Sequence, residues 1–143
     1  MTAPGLVHAT VVARQTPAGW RAVLIRGASG TGKSDLALRL CAAGWRLVGD
    51  DYVRLWPSGD GVFAAPAEAL AGRIESRGLG IRPMAWRAPA RVVLAVEAAA
   101  SDAVERMPEP EVTTLAGLDI PLLKLALREA STVAKVAAAM GAL

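Results

Sequence analysis

The segment Gly27–Ser34, with the sequence GASGTGKS, constrains the fold more than any other part of the chain. Its two fixed glycines and its final Lys-Ser pair match the Walker A pattern of loops that bind phosphate. A run of apolar residues precedes the segment, and apolar residues follow it at helical spacing up to Gly44. This strand, loop and helix context favours a phosphate-binding loop over a glycine-rich turn.

The residue types of this loop have distinct physical uses. Glycines allow positive φ and bring backbone N–H groups close to phosphate oxygens, while Lys33 would neutralise the β and γ phosphates. The Ser34 hydroxyl is suited to binding Mg²⁺. The predicted nucleotide-binding residues are Gly27, Ala28, Ser29, Gly30, Thr31, Gly32, Lys33 and Ser34. The loop alone leaves a GTPase, an ATPase, a small-molecule kinase and a protein kinase of unusual fold open.

Length and composition predict a single domain over residues 1–143. The chain is 53% hydrophobic and 20% charged, which supports a buried core, and its single cysteine excludes an internal disulfide. A net charge of +3 permits an acidic or phosphorylated partner but falls short of a nucleic-acid footprint. Because apolar stretches stay below the ~20 residues that span a bilayer, we expect a cytoplasmic protein without a membrane or nucleic-acid partner.

The sequence pattern predicts an α/β fold with a mixed sheet. Leu6–Arg14 and Arg21–Ile25 form a predicted hairpin, and a short strand at 47–48 runs into Asp50 and Asp51. The remaining predicted strands are Tyr52–Trp56, Val62–Ala65, Arg73–Ser76, Arg91–Glu97 and Val112–Leu115. Residues 78–80 are predicted to be a loop, and Leu122–Leu143 to hold one or two helices.

Asp50 and Asp51 follow the phosphate loop by one helix and one strand. If that strand is parallel to the strand before the loop, both carboxylates emerge at the ligand-binding edge of the sheet. Phosphoryl transfer needs a carboxylate near Mg²⁺ and another that accepts a proton from the attacking hydroxyl. Adjacent strand residues face opposite ways, so the two aspartates would have different roles. The alternative interpretation is an acidic turn in solvent.

His8 and Glu75 are the other candidates. His8 is the only histidine and lies on the predicted partner of the phosphate-loop strand, where it could orient an aspartate; the alternative is an ordinary surface histidine. Glu75 is either a second metal ligand or part of a solvated basic face. Nearby arginines would hold the transferring phosphate or an acidic partner, and they are Arg73, Arg77, Arg82, Arg87 and Arg91.

Three segments together carry a family resemblance: GASGTGKSDLALRL, LVGDD and GRIESRGLGI. They resemble the C-terminal catalytic domain of bacterial HPr kinase/phosphorylase, in the short form that lacks the family's N-terminal domain. The resemblance implies a P-loop fold similar to phosphoenolpyruvate carboxykinase. It also implies transfer of the γ-phosphate of ATP to a serine of HPr or of a nitrogen-branch phosphocarrier, with phosphorolysis as the reverse reaction and a homo-oligomer as the family's assembly.

The resemblance also implies roles for individual residues. Lys33 would be catalytic, Ser34 and Glu75 would bind Mg²⁺, and Asp51 would accept the serine proton. His8 would be the partner of Asp51, Asp50 would lie near the phosphates or the metal, and Arg77 would stabilise charge on the phosphoryl group. Exchanging the two aspartates would leave the mechanism unchanged.

The chain departs from the family pattern at several places, among them a stretch from His8 to the phosphate loop that is a few residues longer than in the family. Ala9 follows His8 where the family usually has glycine, and Ser131 stands about where the family has a C-terminal catalytic arginine, with Arg128 nearby. A second hypothesis is therefore an ATP-binding regulatory module that acts through a signalling partner, such as a sensor kinase of a phosphorelay, without efficient phosphotransfer.

Overall fold

The computed structural model describes residues 5–141. Its two α-helices are α1 (Lys33–Ala42) and α2 (Thr132–Gly141), and two single 3-10 turns cover Glu68–Leu70 and Ser101–Ala103. Its strands are β1 (Leu6–His8), β2 (Thr10–Thr16), β3 (Gly19–Arg26), β4 (Arg46–Gly49), β5 (Tyr52–Ser58), β6 (Gly61–Pro66), β7 (Arg73–Ser76), β8 (Gly80–Pro83), β9 (Ala90–Ala98), β10 (Glu111–Leu115) and β11 (Leu118–Leu125).

A nine-stranded mixed sheet forms the centre of the fold. Its main path runs β1-β5-β6-β9-β3-β2-β4, and the hairpin of β10 and β11 joins it through β9. β3, β9 and β11 are parallel, while β2 is antiparallel to both β3 and β4. β4 therefore runs in the same direction as β3, as the interpretation of the aspartates required. The carboxyl ends of these four strands share one edge, which is where α/β proteins place ligands.

Two connections between strands lie next to each other at that edge of the sheet. The chain passes from β1 to β2 through Ala9 alone, and from β4 to β5 through Asp50 and Asp51. The Ala9 N–H donates to the Asp51 carbonyl oxygen at 3.0 Å, which joins the two connections. Residues before β2 and after β4 are thereby held together beside the phosphate loop.

The core lies on both faces of the sheet. Strand alternation directs Val11 to one face and Val12 to the other. On the second face, Leu36 and Leu40 of α1 and Val136 of α2 pack against the strands in one cluster of buried residues. The buried apolar stripe of α1 thus fixes the helix that begins at the phosphate loop.

The hairpin of β7 and β8 is separate from the large sheet. Ile74 of β7 is buried in the same cluster as α1, so the hairpin rests on that helix. No helix in the described residues is long and apolar enough to cross a membrane.

Three local predictions differ from the structure. Leu6–His8 and Thr10–Thr16 are two strands rather than one, because they pair with different neighbours. Gly80 begins β8 instead of ending a loop. The segment Leu122–Leu143 holds one helix, as predicted, but its first residues, Leu122–Leu125, belong to a strand beside β9. Parallel pairing of leucine-rich β11 with β9 outweighs the helix propensity of that segment, and the helix begins only at Thr132. The last two residues of the segment Leu122–Leu143 lie outside the described residues.

Candidate active site

A cavity of about 380 Å³ lies at the shared edge of the sheet. It is bounded by the phosphate loop and α1 on one side and by β1, the aspartate connection and the β7–β8 hairpin on the other. The residues that line it are His8, Thr10, Ser29, Gly30, Gly32, Lys33, Ser34, Asp35, Leu38, Asp51, Glu75, Ser76, Arg77 and Arg128.

The phosphate loop ends at Gly32, the residue immediately before α1. Gly32 has φ of 103°, and a Cβ there would lie only 3.0 Å from Arg128 Cγ, so both conformation and space favour glycine. Lys33 is buried, and its Nζ donates to the carbonyl oxygens of Gly27 and Ala28 at 2.8 and 3.1 Å. The ammonium therefore lies against the loop itself, at the positive end of α1.

Asp50 is a buried connection between three segments. Its Oδ1 accepts hydrogen bonds from Thr10 Oγ1 and Ser34 Oγ, both at 2.8 Å. Its Oδ2 accepts the Glu75 backbone N–H at 3.1 Å. Only 5% of Asp50 is exposed. This carboxylate links β2, the first turn of α1 and β7, and so joins Ser34 and the Glu75 backbone through one side chain.

Asp51 has a different environment from Asp50, as the prediction of separate roles required. It is exposed, and its Oδ1 accepts a hydrogen bond from His8 Nε2 at 3.0 Å. Its φ of 69° lies in the left-handed region, which aspartate tolerates better than most residues. This backbone turn separates the two neighbouring carboxylates, one into the protein and the other towards the cavity.

Glu75, Ser76 and Arg77 reach the cavity from the β7–β8 hairpin. The backbone bond from Glu75 to Asp50 anchors this side of the site. Glu75 itself is exposed, whereas Ser76 is buried at the end of β7. The hairpin thus brings one acid and one guanidinium opposite the phosphate loop.

Arg128 lies across the phosphate loop from the end of β11. Its Nη2 donates to the Gly30 carbonyl oxygen at 2.6 Å. Arg39 of α1 supports this segment by donating to the carbonyl oxygens of Leu127 and Glu129. Thr132 Oγ1 adds a bond to the Ala126 carbonyl oxygen at 2.6 Å. Ser131, where the resemblance locates an arginine, does not line the cavity.

The oxygen donors of the cavity fit a magnesium ion that is only partly held by protein. Mg²⁺ prefers oxygen ligands and is commonly bound by one or two protein groups together with phosphates and water. Ser34 and Glu75 offer such oxygens at the cavity wall, with Asp50 behind Ser34. Residues 5–141 contain no group of three or more His, Cys, Asp or Glu side chains able to hold a metal alone.

The fold brings most of the predicted site residues to one cavity. His8, Asp51, Glu75 and Arg77 all line it, as do Ser29, Gly30, Gly32, Lys33 and Ser34. Gly27, Ala28, Thr31 and Asp50 lie behind this lining. Thr10 and Ser76 also line the cavity but were not predicted as site residues. For Thr10, the available signal was a polar residue at the start of a strand of apolar β-branched residues.

Comparison with known proteins decides the family. A family model described as the HPr Serine kinase C-terminal domain matches residues 18–142. The chain belongs to this family. The HPr kinase/phosphorylase of Bordetella pertussis is 38% identical over 120 residues, which cover 76% of this chain and 39% of that protein. The one from Exiguobacterium sibiricum is 48% identical over 60 residues, or 41% of this chain and 19% of that protein.

The chain thus spans between 19% and 39% of the length of these HPr kinase/phosphorylase relatives. Among solved structures, the Hpr(Ser) kinase/phosphatase from Coxiella burnetii matches with a TM-score of 0.80 and 20% identity. The match covers 96% of this chain and 95% of that one. It confirms the predicted mixed α/β fold of the HPr kinase C-terminal domain.

Proposed function

We propose that the chain is an ATP-dependent protein serine kinase of the HPr kinase type. It would transfer the γ-phosphate of ATP to a serine of HPr or a nitrogen-branch phosphocarrier, and so regulate phosphotransferase signalling and carbon metabolism. The observation that carries the proposal is the pair of His8 and Asp51 at 3.0 Å in the same cavity as Lys33. Because the reaction consumes ATP, we place it in the cytoplasm.

Asp51 is the proposed proton acceptor. Among residues 5–141 its carboxylate accepts one hydrogen bond, from His8, which leaves lone pairs for a serine hydroxyl. In the transfer, the serine oxygen bonds to the γ phosphorus, the bond to the β–γ bridging oxygen breaks, and ADP leaves. The serine proton goes to Asp51, while His8 keeps the carboxylate oriented. Asp50 is not suited to this role, because its two oxygens already accept three bonds inside the protein.

Positive groups from both sides of the cavity would face the phosphates. Backbone N–H groups of the loop and Lys33 would hold the β and γ phosphates. Arg128 lies over the loop and Arg77 faces it from the hairpin, so both guanidinium groups can stabilise the charge of the transferring phosphoryl group. Such preorganised charge is the main protein contribution to phosphoryl transfer.

Ser34 and Glu75 are the proposed Mg²⁺ ligands. When bound, Mg²⁺ would supply charge balance for the phosphate oxygens. Asp50 serves this pair by fixing the Ser34 hydroxyl and the Glu75 backbone. The two residues come from different elements, so the site would be sensitive to how the hairpin rests on α1.

The test is transfer of labelled γ-phosphate from ATP to purified HPr of the same organism, followed by peptide mapping of the labelled residue. We expect Mg²⁺-dependent label on one serine. Addition of inorganic phosphate to the product then tests the phosphorylase reaction that the relatives' names include. ATP binding without any transfer would contradict the kinase and favour the regulatory module.

A further inference from the structure

The β7–β8 hairpin presents one face outward beside the cavity. Its register pairs Glu75 with Ile81 and Arg73 with Pro83, and directly paired residues point to the same side. Ile74 points to the other side and is buried in the cluster that includes α1. Ile81 therefore stands next to Glu75 on the face that is not packed against the protein.

Two large apolar side chains of this hairpin are exposed. Leu79 in the turn is 62% exposed, and Ile81 is 69% exposed. Exposed apolar side chains that cluster beside a site indicate a contact surface more often than isolated ones do. Glu75, Ser76 and Arg77 of the same hairpin line the cavity, so the two exposed apolar side chains belong to the hairpin that forms part of the cavity wall.

The charge of the hairpin favours an acidic partner. Arg73, Arg77 and Arg82 are exposed, and Glu75 is the only acid between residues 73 and 83. The proposed function assigns Glu75 to the metal, which leaves an excess of positive charge on the surface. Complementary charge speeds encounter and sets orientation more than it adds affinity, so the apolar residues would supply most of the binding.

We propose that Arg73, Leu79, Ile81 and Pro83, called here the hairpin surface, dock the protein substrate. The occupant is a segment of the acceptor protein with apolar side chains next to the reactive serine and acidic residues farther along. This inference rests on the proposed kinase function and adds how that kinase selects its protein substrate. ATP would bind independently of the hairpin surface, because the phosphate loop lies on the opposite wall.

The test compares Ile81→Ser with the unmutated chain, using HPr as the varied substrate. We expect the KM for HPr to rise by about tenfold, because the complex would lose the burial of one large apolar side chain. The kcat and the affinity for ATP should not change. Arg73→Ala is the second variant and should raise the KM most at low salt. Val112→Ser removes an apolar side chain of similar exposure, 61%, from β10 and should have no effect.

The outcomes separate the two proposals. Transfer by Ile81→Ser and by Arg73→Ala with the KM of the unmutated chain would overturn the docking surface and leave the kinase standing. An equal rise in Val112→Ser would also overturn it. If Ile81→Ser dissociates an oligomer in sedimentation without a change in KM, the hairpin contacts a second copy instead. No transfer by the unmutated chain would overturn both proposals.

Discussion

His8 and Asp51 are separated by 43 positions in sequence, yet His8 Nε2 lies 3.0 Å from Asp51 Oδ1. Strand pairing produces this contact: β1 and β5 are antiparallel, with His8 opposite Tyr52, the residue after Asp51. The Ala9 N–H bond to the Asp51 carbonyl oxygen fixes the register at the same point. The pair is therefore set by backbone bonds, and the side chains need no rearrangement to meet.

Replacing His8 tests whether this contact orients the proton acceptor. In His8→Ala the carboxylate loses its donor but keeps its position, so we expect kcat to fall by about tenfold, less than for loss of the base itself. The affinity for ATP should not change, because His8 does not contact the phosphate loop. Steady-state kinetics with varied ATP and HPr measure both quantities, and an unchanged kcat would contradict the orienting role.

Replacing Asp50 should affect stability first. Asp50→Ala leaves the hydroxyls of Thr10 and Ser34 and the Glu75 N–H without their acceptor. Since a buried unsatisfied polar group costs roughly 1–3 kcal/mol, we expect the free energy of unfolding to fall by about 3 kcal/mol in urea denaturation. Asp60→Ala removes an exposed carboxylate whose ion pair to Arg91 spans 3.4 Å and should cost about 0.5 kcal/mol or less. Equal losses in the two variants would contradict the connecting role of Asp50.

Variants of Arg128 and Ser131 form a matched pair that tests whether Arg128 stabilises the charge on the phosphoryl group. Arg128→Ala removes the guanidinium that lies over the phosphate loop, and we expect kcat to fall by about 10² or more. Ser131→Ala, three residues away, should behave like the unmutated chain because Ser131 does not line the cavity. Kinetics under saturating ATP distinguish them. Full activity of Arg128→Ala would show that Arg77 and Lys33 suffice.

Cys41 should remain a thiol at physiological pH. Burial in α1 raises the pKa of Cys41 from its ordinary 9.0 to about 11, against a smaller lowering by Arg46. Because the folded form favours the protonated thiol, its contribution to stability is complete below pH 9 and declines as the pH rises towards 11. We expect slow alkylation by iodoacetamide at pH 8 that speeds up in urea. In Cys41→Ala, the decline in stability between pH 9 and 11 should be smaller; equal declines would contradict the shift.

The sequence alone predicted the elements that short patterns determine. Three segments carry residue types that only a few local conformations accommodate. They are the Walker A segment, the helix after it and the predicted hairpin before it. The same holds for β9, whose apolar run needs burial on both sides. The parallel direction of β3 and β4 was a condition of the aspartate interpretation, and it is the pairing of both strands with β2 that meets this condition.

Long-range pairing was beyond the sequence pattern. The strand at Leu118–Leu125 forms because β9 offers an edge for parallel pairing. No local feature of its leucines predicts β9 as the partner. Arg128 reaches Gly30 only through this strand, so its position could not be derived from spacing. Thr10 was missed for a related reason: its value as a donor depends on Asp50, 40 positions later.

The central claim is that Asp51 accepts the serine proton, and Asp51→Asn tests it most directly. Asparagine keeps the size of the side chain and tolerates the φ of 69°, so the variant should fold and bind ATP normally. The measurement is the single-turnover rate of phosphate transfer to HPr, followed by intact mass, for the unmutated chain and the variant. We predict a loss of roughly 10²–10⁴ in rate; transfer at the unmutated rate would contradict the claim.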